Sequence, residues 1–302
     1  MDIPQYPHFR EIRIEDKKIF QDHFSTSPPQ ISEYTFTNLF IWHYYYHLSW
    51  CFWDECICIL TQSEESQPFF LPPICKDTFR ERTYEFLQHL KKQGITPLMN
   101  RVPEDLVNQY IKNHSHFETT LDRDNCDYVH LTQDLINLEG NKFHGKRNHI
   151  NKFKKSHSYI YKSLTPDLVP DCLEMESEWC NLKHCEMFSS LIGEERAIYE
   201  ALKNIEKLDF KGGVILIDGK VEAFALGEQL NSKTAVIHIE KANPTFDGLY
   251  QLINQEFCAH EWKTFSYINR EQDLGEEGLR KAKLSYHPHH LVNKYTVKLK
   301  EH

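Results

Sequence analysis

The chain has 302 residues, a formal net charge of −9 and 40% hydrophobic residues. This composition is typical of a globular protein and excludes an intrinsically disordered one. The length allows two domains of ordinary size, and the negative charge argues against a general affinity for nucleic acid. No charged segment followed by an apolar run opens the sequence, so we expect no signal peptide and a cytoplasmic location.

The first half of the chain alternates predicted strands and helices. An aromatic run from Phe36 to Trp53 contains polar residues, which makes it a poor membrane span and a good hydrophobic core. Helices are predicted near 15–24, 77–93, with Asp77 as the cap, and 103–111. Strands are predicted near 9–14, 56–60, 68–72, 95–99 and 126–131, the last as the closing strand of the unit. We therefore predict an α/β domain over residues 1–135.

Nine cysteines lie between Cys51 and Cys258 without a Cys-x-x-Cys pair. Their spacing does not match a structural zinc site, and most are expected to be small buried residues in a reducing compartment. The tract His287-Pro-His-His290 is interpreted as a turn. The sequence therefore predicts no metal site.

A basic stretch joins the two halves of the chain. Residues 140–166 contain no Asp or Glu. A linking helix or helix pair is predicted over 132–155. The stretch carries Lys142, Lys146, Arg147, Lys152, Lys154, Lys155 and Lys162. Two interpretations stay open: a solvated helix face, or a contact with phosphate or another polyanion.

The second half contains the clearest local signal in the sequence. A strand and two helices are predicted over 159–208. An Asp218-Gly219 turn then joins two apolar runs into a hairpin. A third strand from Thr234 to Glu240 leads to a helix from Leu249 to Trp262, whose inner stripe is Leu249, Leu252, Ile253, Phe257 and His260. A strand at 265–268, a short helix and a final strand at 291–299 follow.

This element order resembles that of a GNAT-type acyltransferase core. In that family the third strand and the N-terminus of the helix after it hold the acyl donor, whose phosphates use free backbone N–H groups and the helix dipole.

Three segments extend the resemblance over most of the chain. They are residues 36–42, 143–150 and 267–286, the last reading Tyr-Ile-Asn-Arg-Glu-Gln-Asp-Leu-Gly-Glu-Glu-Gly-Leu-Arg-Lys-Ala-Lys-Leu-Ser-Tyr. They resemble bacterial proteins related to the C-terminal domain of phosphatidylglycerol lysyltransferases. The resemblance implies an α/β (α+β) chain of two tandem GNAT-like domains, 1–135 and 136–302, each with a mixed, mainly antiparallel sheet flanked by helices. It also implies kinship with Fem-type enzymes, which transfer an aminoacyl group from aminoacyl-tRNA to an amine or hydroxyl.

Two departures from these families bear on the substrates. The lysyltransferases carry a multi-span membrane domain, and this sequence has no transmembrane segment. The glycine-rich coenzyme A loop of GNAT enzymes is represented only by Gly248, and Asp247 is expected to cap the helix amides that a pyrophosphate would use. Aminoacyl-tRNA is therefore preferred over acyl-CoA as the donor.

Candidate site residues cluster at the ends of the predicted strands 234–240 and 265–268. Glu240 is the candidate base or acceptor contact, and Tyr286 is the candidate acid. The donor-binding candidates are Lys146, Arg147, Lys241, Asn269, Arg270, Asp273, Gly275, Gly278, Arg280 and Lys283. Structural alternatives stay open: an ion pair of Glu240 with Lys241 or another cation, an Arg–Glu pair that holds the loop, a solvated basic helix and a buried tyrosine.

The function expected from these features is acyl or aminoacyl transfer without a permanently bound cofactor. The donor substrate would be aminoacyl-tRNA or acyl-CoA, so tRNA is a possible partner. The acceptor would be a small molecule, a peptide or a lipid headgroup. Two alternatives stay open: an acyl-CoA-dependent N-acyltransferase, and a non-catalytic module that binds a nucleotide or tRNA.

Overall fold

Two seven-stranded sheets organise the chain in a computed structural model, which describes residues 3–63, 67–75 and 79–300. The predicted cap Asp77 lies outside these residues. Residues 1–127, 272–277 and 291–302 form the first compact unit, and residues 128–271 and 278–290 form the second. The predicted fold class, two mixed and mainly antiparallel sheets with flanking helices, is confirmed.

The first sheet has the strand order β1-β2-β3-β4-β5-β14-β6. Neighbouring strands are antiparallel except β4 and β5. The strands are β1 (Arg10–Glu11), β2 (Ser49–Trp53), β3 (Cys56–Thr61), β4 (Phe69–Phe70), β5 (Leu98–Pro103), β6 (Phe117–Leu121) and β14 (Lys294–Leu299). The helices are α1 (Lys17–Thr26), α2 (Phe36–Ile41), α3 (His43–Tyr46), α4 (Phe79–Lys92) and α5 (Glu104–Leu106), with a π-helical turn at Val107–Ile111 and 3-10 turns at Ile14–Asp16 and Arg123–Asn125.

The second sheet has the order β13-β7-β12-β11-β10-β9-β8. The strands are β7 (Asp127–Leu131), β8 (Ile160–Ser163), β9 (Lys211–Ile217), β10 (Lys220–Gln229), β11 (Thr234–Ala242), β12 (Tyr267–Asn269) and β13 (His290–Val292). The helices are α6 (Thr132–Asn137), α7 (His144–Ser156), α8 (Val169–Lys183), α9 (Ser189–Lys203), α10 (Leu249–Glu261) and α11 (Glu277–Leu284), with 3-10 turns at Asn141–Phe143, Pro166–Leu168 and Cys185–Met187.

Two strands lie in a different sheet from the one predicted. The predicted final strand, 291–299, divides into two strands: β13 lies in the second sheet as expected, whereas β14 pairs with β5 and β6 of the first sheet. Strand β7 was expected to close the first domain, but it pairs with β12 of the second sheet. Side-chain alternation indicates that a segment is a strand, but it does not indicate which strand it pairs with. The tertiary structure therefore decides which sheet β7 and β14 join. The boundary between residues 135 and 136 stays a prediction.

A bulge in β11 decides which face of the sheet its polar side chains occupy. Leu226 of β10 pairs with Ile239 and Gly227 pairs with Ile237, so His238 is the extra residue. A bulge reverses the alternation of side chains beyond it. Ala235, Ile237 and Ala242 accordingly belong to one hydrophobic core that includes α10, while Lys241 is turned to the opposite face.

Strand β11 also extends beyond its pairing with β12. Only the first three residues of β11, up to Val236, pair with β12, whereas the strand continues to Ala242. Glu240 therefore lies on a part of β11 that does not pair with β12. This divergence leaves space for side chains at the carboxyl end of the strand.

Helix α10 supports this region through its apolar stripe. Leu249, Leu252, Ile253 and Phe257 are fully buried, as predicted. His260 was predicted to join the stripe, and this was wrong, because its side chain is 53% exposed and its ring stacks on Tyr161.

The cysteines divide into bonded and free residues. Cys56–Cys75 and Cys180–Cys185 are disulfide-bonded, and the free cysteines of the described chain, Cys51, Cys58, Cys126, Cys172 and Cys258, are buried. Within the described ranges, no cluster of three or more His, Cys, Asp or Glu side chains is arranged to hold a metal ion. No helix among these residues has the length and apolar character needed to cross a membrane.

Candidate functional site

An ion pair between Glu240 and Arg270 lies at the carboxyl end of β11. Arg270 Nε donates to Glu240 Oε2 at 3.1 Å, and Nη2 of the same guanidinium donates to that oxygen. Asn254 of α10 donates from Nδ2 to Glu240 Oε1 at 2.8 Å. Both charged side chains are 14% exposed. The sequence left open an ion pair of Glu240 with a cation and an Arg–Glu pair that holds the loop. The contact between Glu240 and Arg270 is both of these.

One nitrogen of this guanidinium has no protein partner. Nη1 of Arg270 is buried and makes no hydrogen bond within the described part of the chain. A buried donor without an acceptor costs about 1–3 kcal/mol, and more for a charged group. Such an atom calls for an explanation, and a ligand oxygen would provide one.

Tyr286 packs against two cations. Lys146 Nζ lies 4.1 Å from the centre of its ring, and Arg270 Cζ lies 4.7 Å from it. Burial raises the pKa of Tyr286, although Arg270 opposes the rise, so the phenol stays neutral. Burial, with a smaller effect of Arg270, lowers the pKa of Lys146 to about 8. A cation held over an aromatic ring next to a second cation suits the recognition of an anion.

Lys283 completes this group from α11. Its Nζ donates to the backbone carbonyl of Arg270 at 2.6 Å. The structure therefore brings together five of the predicted site residues: Lys146, Glu240, Arg270, Lys283 and Tyr286.

Lys241 does not join them. Its Nζ donates to Glu194 Oε2 at 2.8 Å, lies 3.6 Å from Glu176 Oε1 and sits 3.3 Å from the ring centre of Trp179. These partners belong to α8 and α9, on the other face of the sheet from Glu240. The side chain is almost fully buried there, because the bulge at His238 turns it away.

The remaining predicted residues make local contacts. Arg147 donates to the carbonyl oxygens of Leu138 and Gly140, and the buried Asn269 accepts from the backbone of Glu271 at 2.8 Å. Gly278 and Arg280 lie in α11.

Asp273 and Gly275 belong to the first unit. Asp273 Oδ2 lies 3.3 Å from Nη1 of Arg123, and its Oδ1 accepts from Gly275 N at 2.9 Å. Gly275 has φ +79°, a left-handed conformation that glycine adopts without strain. The glycine is therefore required by the turn.

Three of the seven basic residues in this stretch pair with acidic side chains. Lys142 pairs with Asp134, Lys152 with Asp247, and Lys154 with Glu256, at 2.8, 3.0 and 3.3 Å. These contacts favour the solvated helix face for much of α7. Lys146 has a different environment, since its Nζ lies over the ring of Tyr286.

The predicted cap at the start of α10 is wrong. Asp247 makes no capping bond; its carboxylate accepts from His149 at 2.8 Å and Lys152 at 3.0 Å, both of α7. Gly248 is the N-cap residue with φ +95°, and an added Cβ would lie 2.4 Å from the carbonyl oxygen of His149. Helix α7 therefore lies directly against the start of α10.

A histidine between two carboxylates was missed by the sequence reasoning. Nδ1 of His238 lies 2.7 Å from Glu271 Oε1, and Nε2 lies 2.9 Å from Glu228 Oε1. Burial alone would lower the pKa of His238, but the bonds to the two glutamates outweigh it and raise the pKa to about 9. The sequence does carry a signal for this contact, since Glu228 and His238 are ionisable residues inside otherwise apolar strands.

This triad predicts a loss of stability at alkaline pH. The folded protein holds a proton on His238 that the unfolded chain releases near pH 6.5, so the stabilisation is complete below 6.5 and disappears as pH rises through about 9. Thermal unfolding of the wild type and of His238→Gln should differ most at low pH. The exposed His260→Gln serves as control. If the wild type is more stable than His238→Gln by the same amount from pH 6.5 to about pH 9, His238 does not hold this proton.

The fold is of the tandem GNAT-like class. It is similar to that of FemX, with a TM-score of 0.52, 11% identity and 96% of each chain covered. It is also similar to L-PGS from Bacillus licheniformis, with a TM-score of 0.67, 12% identity, and 100% of this chain and 95% of that chain covered.

The family follows from the sequence match. The model of the phosphatidylglycerol lysyltransferase C-terminal domain matches residues 24–298, and the chain belongs to that family. A conserved protein of unknown function from Bacteroides thetaiotaomicron is 34% identical, with a TM-score of 0.88 over 97% of this chain and 99% of that one. An uncharacterised protein of Mycoplasmoides gallisepticum is 25% identical over 177 residues, which span 57% of this chain and only 56% of that protein.

Proposed function

We propose that the protein transfers an aminoacyl or acyl group from an activated donor to an amine or hydroxyl, with aminoacyl-tRNA as the preferred donor. The observation that carries this proposal is the buried Nη1 of Arg270, which lacks a partner among the described residues. A phosphate or carbonyl oxygen of the donor would accept its hydrogen bond. Arginine holds such groups with two parallel donors when its plane is fixed, and Glu240 fixes it here.

Other side chains of the group support the same chemistry. Lys146 adds a second positive charge beside Arg270, and this charge would stabilise the oxyanion that develops during acyl transfer. Tyr286 stays neutral at physiological pH because burial raises its pKa, so it would donate its proton to a leaving oxygen. Glu240 would serve as a base or acceptor contact.

The start of α10 supports aminoacyl-tRNA over acyl-CoA. A pyrophosphate at this helix would need free backbone amides and a glycine-rich approach. Here the carbonyl of His149 approaches Gly248 so closely that no Cβ fits. Transfer of a lysyl group is the activity for which the family is named, and this too supports an aminoacyl donor.

The donor is tested by binding measurements. Thermal shift with CoA and acetyl-CoA is measured beside filter binding with charged and uncharged tRNA. We expect tRNA binding and no CoA shift. Lys146→Met should weaken tRNA binding, while Lys155→Met, at an exposed position of the same helix, should change it much less. A clear CoA response without tRNA binding would show that the donor is acyl-CoA.

One contact favours a second candidate, a binding module without catalysis. Both oxygens of Glu240 already accept hydrogen bonds from the protein, one of them from a cation. In this alternative Arg270 and Lys146 would bind tRNA or a nucleotide and no transfer would follow. Absence of transfer by the wild type with every donor, together with ligand binding, would identify the module.

A further inference from the structure

A cavity of about 420 Å³ lies between α8 and α9. Apolar side chains, Leu173, Ile192 and Tyr199, line it together with the carboxylates of Glu176 and Glu195. It lies on the face of the sheet to which Lys241 is turned, so it is separate from the Glu240–Arg270 site. Nothing in the proposed transfer reaction uses it.

Glu176 is one of the carboxylates that line this cavity. It is 3% exposed, and its Oε2 is buried without a hydrogen-bond partner among the described residues. Its other oxygen lies 3.6 Å from Lys241 Nζ, but Lys241 makes its shorter bond, 2.8 Å, to Glu194. A buried carboxylate oxygen without a donor is costly, and a donor from a ligand would remove that cost.

The charges around the cavity determine whether it favours a positively or a negatively charged ligand. Arg196, the cation that lines it, has its Nε 3.3 Å from Glu200, and Lys241 is shared between Glu194 and Glu176. The carboxylates of Glu176 and Glu195 therefore exceed the nearby positive charge. An anion would be repelled, whereas an ammonium group would donate to Glu176 Oε2.

We propose that this cavity binds an alkylammonium compound, with the ammonium group at Glu176 and the alkyl chain against Leu173, Ile192 and Tyr199. The volume fits a small molecule rather than a macromolecule. The site does not depend on the transfer reaction, so it would stand even if that proposal failed.

The pH dependence follows from the same geometry. Burial raises the pKa of Glu176 to about 7, with Lys241 opposing and Glu194 and Glu195 adding to the rise. An alkylammonium group keeps its proton to about pH 10. Affinity should therefore fall as pH drops through about 7, because Glu176 becomes protonated.

Calorimetric titration with n-pentylamine tests the proposal, with n-pentanol as the uncharged comparison. We expect the wild type to bind n-pentylamine and not n-pentanol. Glu176→Gln should bind at least about tenfold more weakly, the loss expected for a hydrogen bond to a charged group. Glu174→Gln, at an exposed position of α8, should bind like the wild type.

A second variant protects the test if Glu176→Gln does not fold. Ile192→Trp places a larger side chain at the half-exposed rim of the cavity and should block n-pentylamine while leaving the buried ion pairs intact. Equal affinity of the wild type and Glu176→Gln, no binding by the wild type at millimolar concentration, or equal binding of n-pentanol would each overturn the proposal.

Discussion

Replacing Lys294 with methionine is expected to lower the free energy of unfolding by about 3–5 kcal/mol, the usual cost of removing one partner of a buried ion pair. Lys294 is fully buried, and its Nζ donates to Glu33 Oε2 at 2.7 Å and to Asp127 Oδ1 at 2.6 Å. Burial alone would lower the pKa of Lys294, but Asp127 and Glu33 outweigh it and raise that pKa. Methionine would leave two carboxylates buried without their shared cation.

Urea denaturation measures this effect. Lys298→Met is the matched control, because it removes a lysine from the same strand at an exposed position and should change stability by less than about 0.5 kcal/mol. Equal stability of the two variants would show that Glu33 and Asp127 find other partners. The expected result would also show that the ion pairs of Lys294 help to hold β14 in the first sheet.

Replacing Glu240 with glutamine is expected to reduce transfer by about 10²–10⁴-fold if Glu240 acts as the general base. Glutamine keeps one oxygen for Arg270, and its NH2 group can donate to the amide oxygen of Asn254 once that amide has turned over. It cannot accept the proton of the acceptor. Binding of the donor should survive, because Arg270 and Lys146 remain. Single-turnover transfer and filter binding, measured on the same preparation, separate the two effects.

Glu206→Gln is the control for this experiment, because Glu206 is exposed and follows α9. It should leave transfer unchanged. A loss much smaller than 100-fold in Glu240→Gln would assign Glu240 to positioning Arg270, and the base would then have to be sought elsewhere. Loss of binding together with transfer would show that the charge of Glu240 is needed to hold Arg270 in place.

The sequence selects candidate residues, and the structure shows which of these candidates lie together. Glu240, Arg270 and Tyr286 follow strands or lie in the longest motif, and the structure places them together. Lys241 is adjacent to Glu240 in the sequence but lies on the opposite face of the sheet. Residues that are adjacent in a strand point their side chains to opposite faces of the sheet.

Local chemistry by itself determined the hairpin at Asp218-Gly219, the strand that follows and the buried stripe of α10. Turn residues and apolar periodicity act over a few residues, so they can be read directly from the chain. Only the tertiary structure decided the bulge at His238, the glutamates on either side of it, and the sheet that each of β7 and β14 joins. These depend on which distant segment supplies the partner, and neither alternation nor charge carries that information.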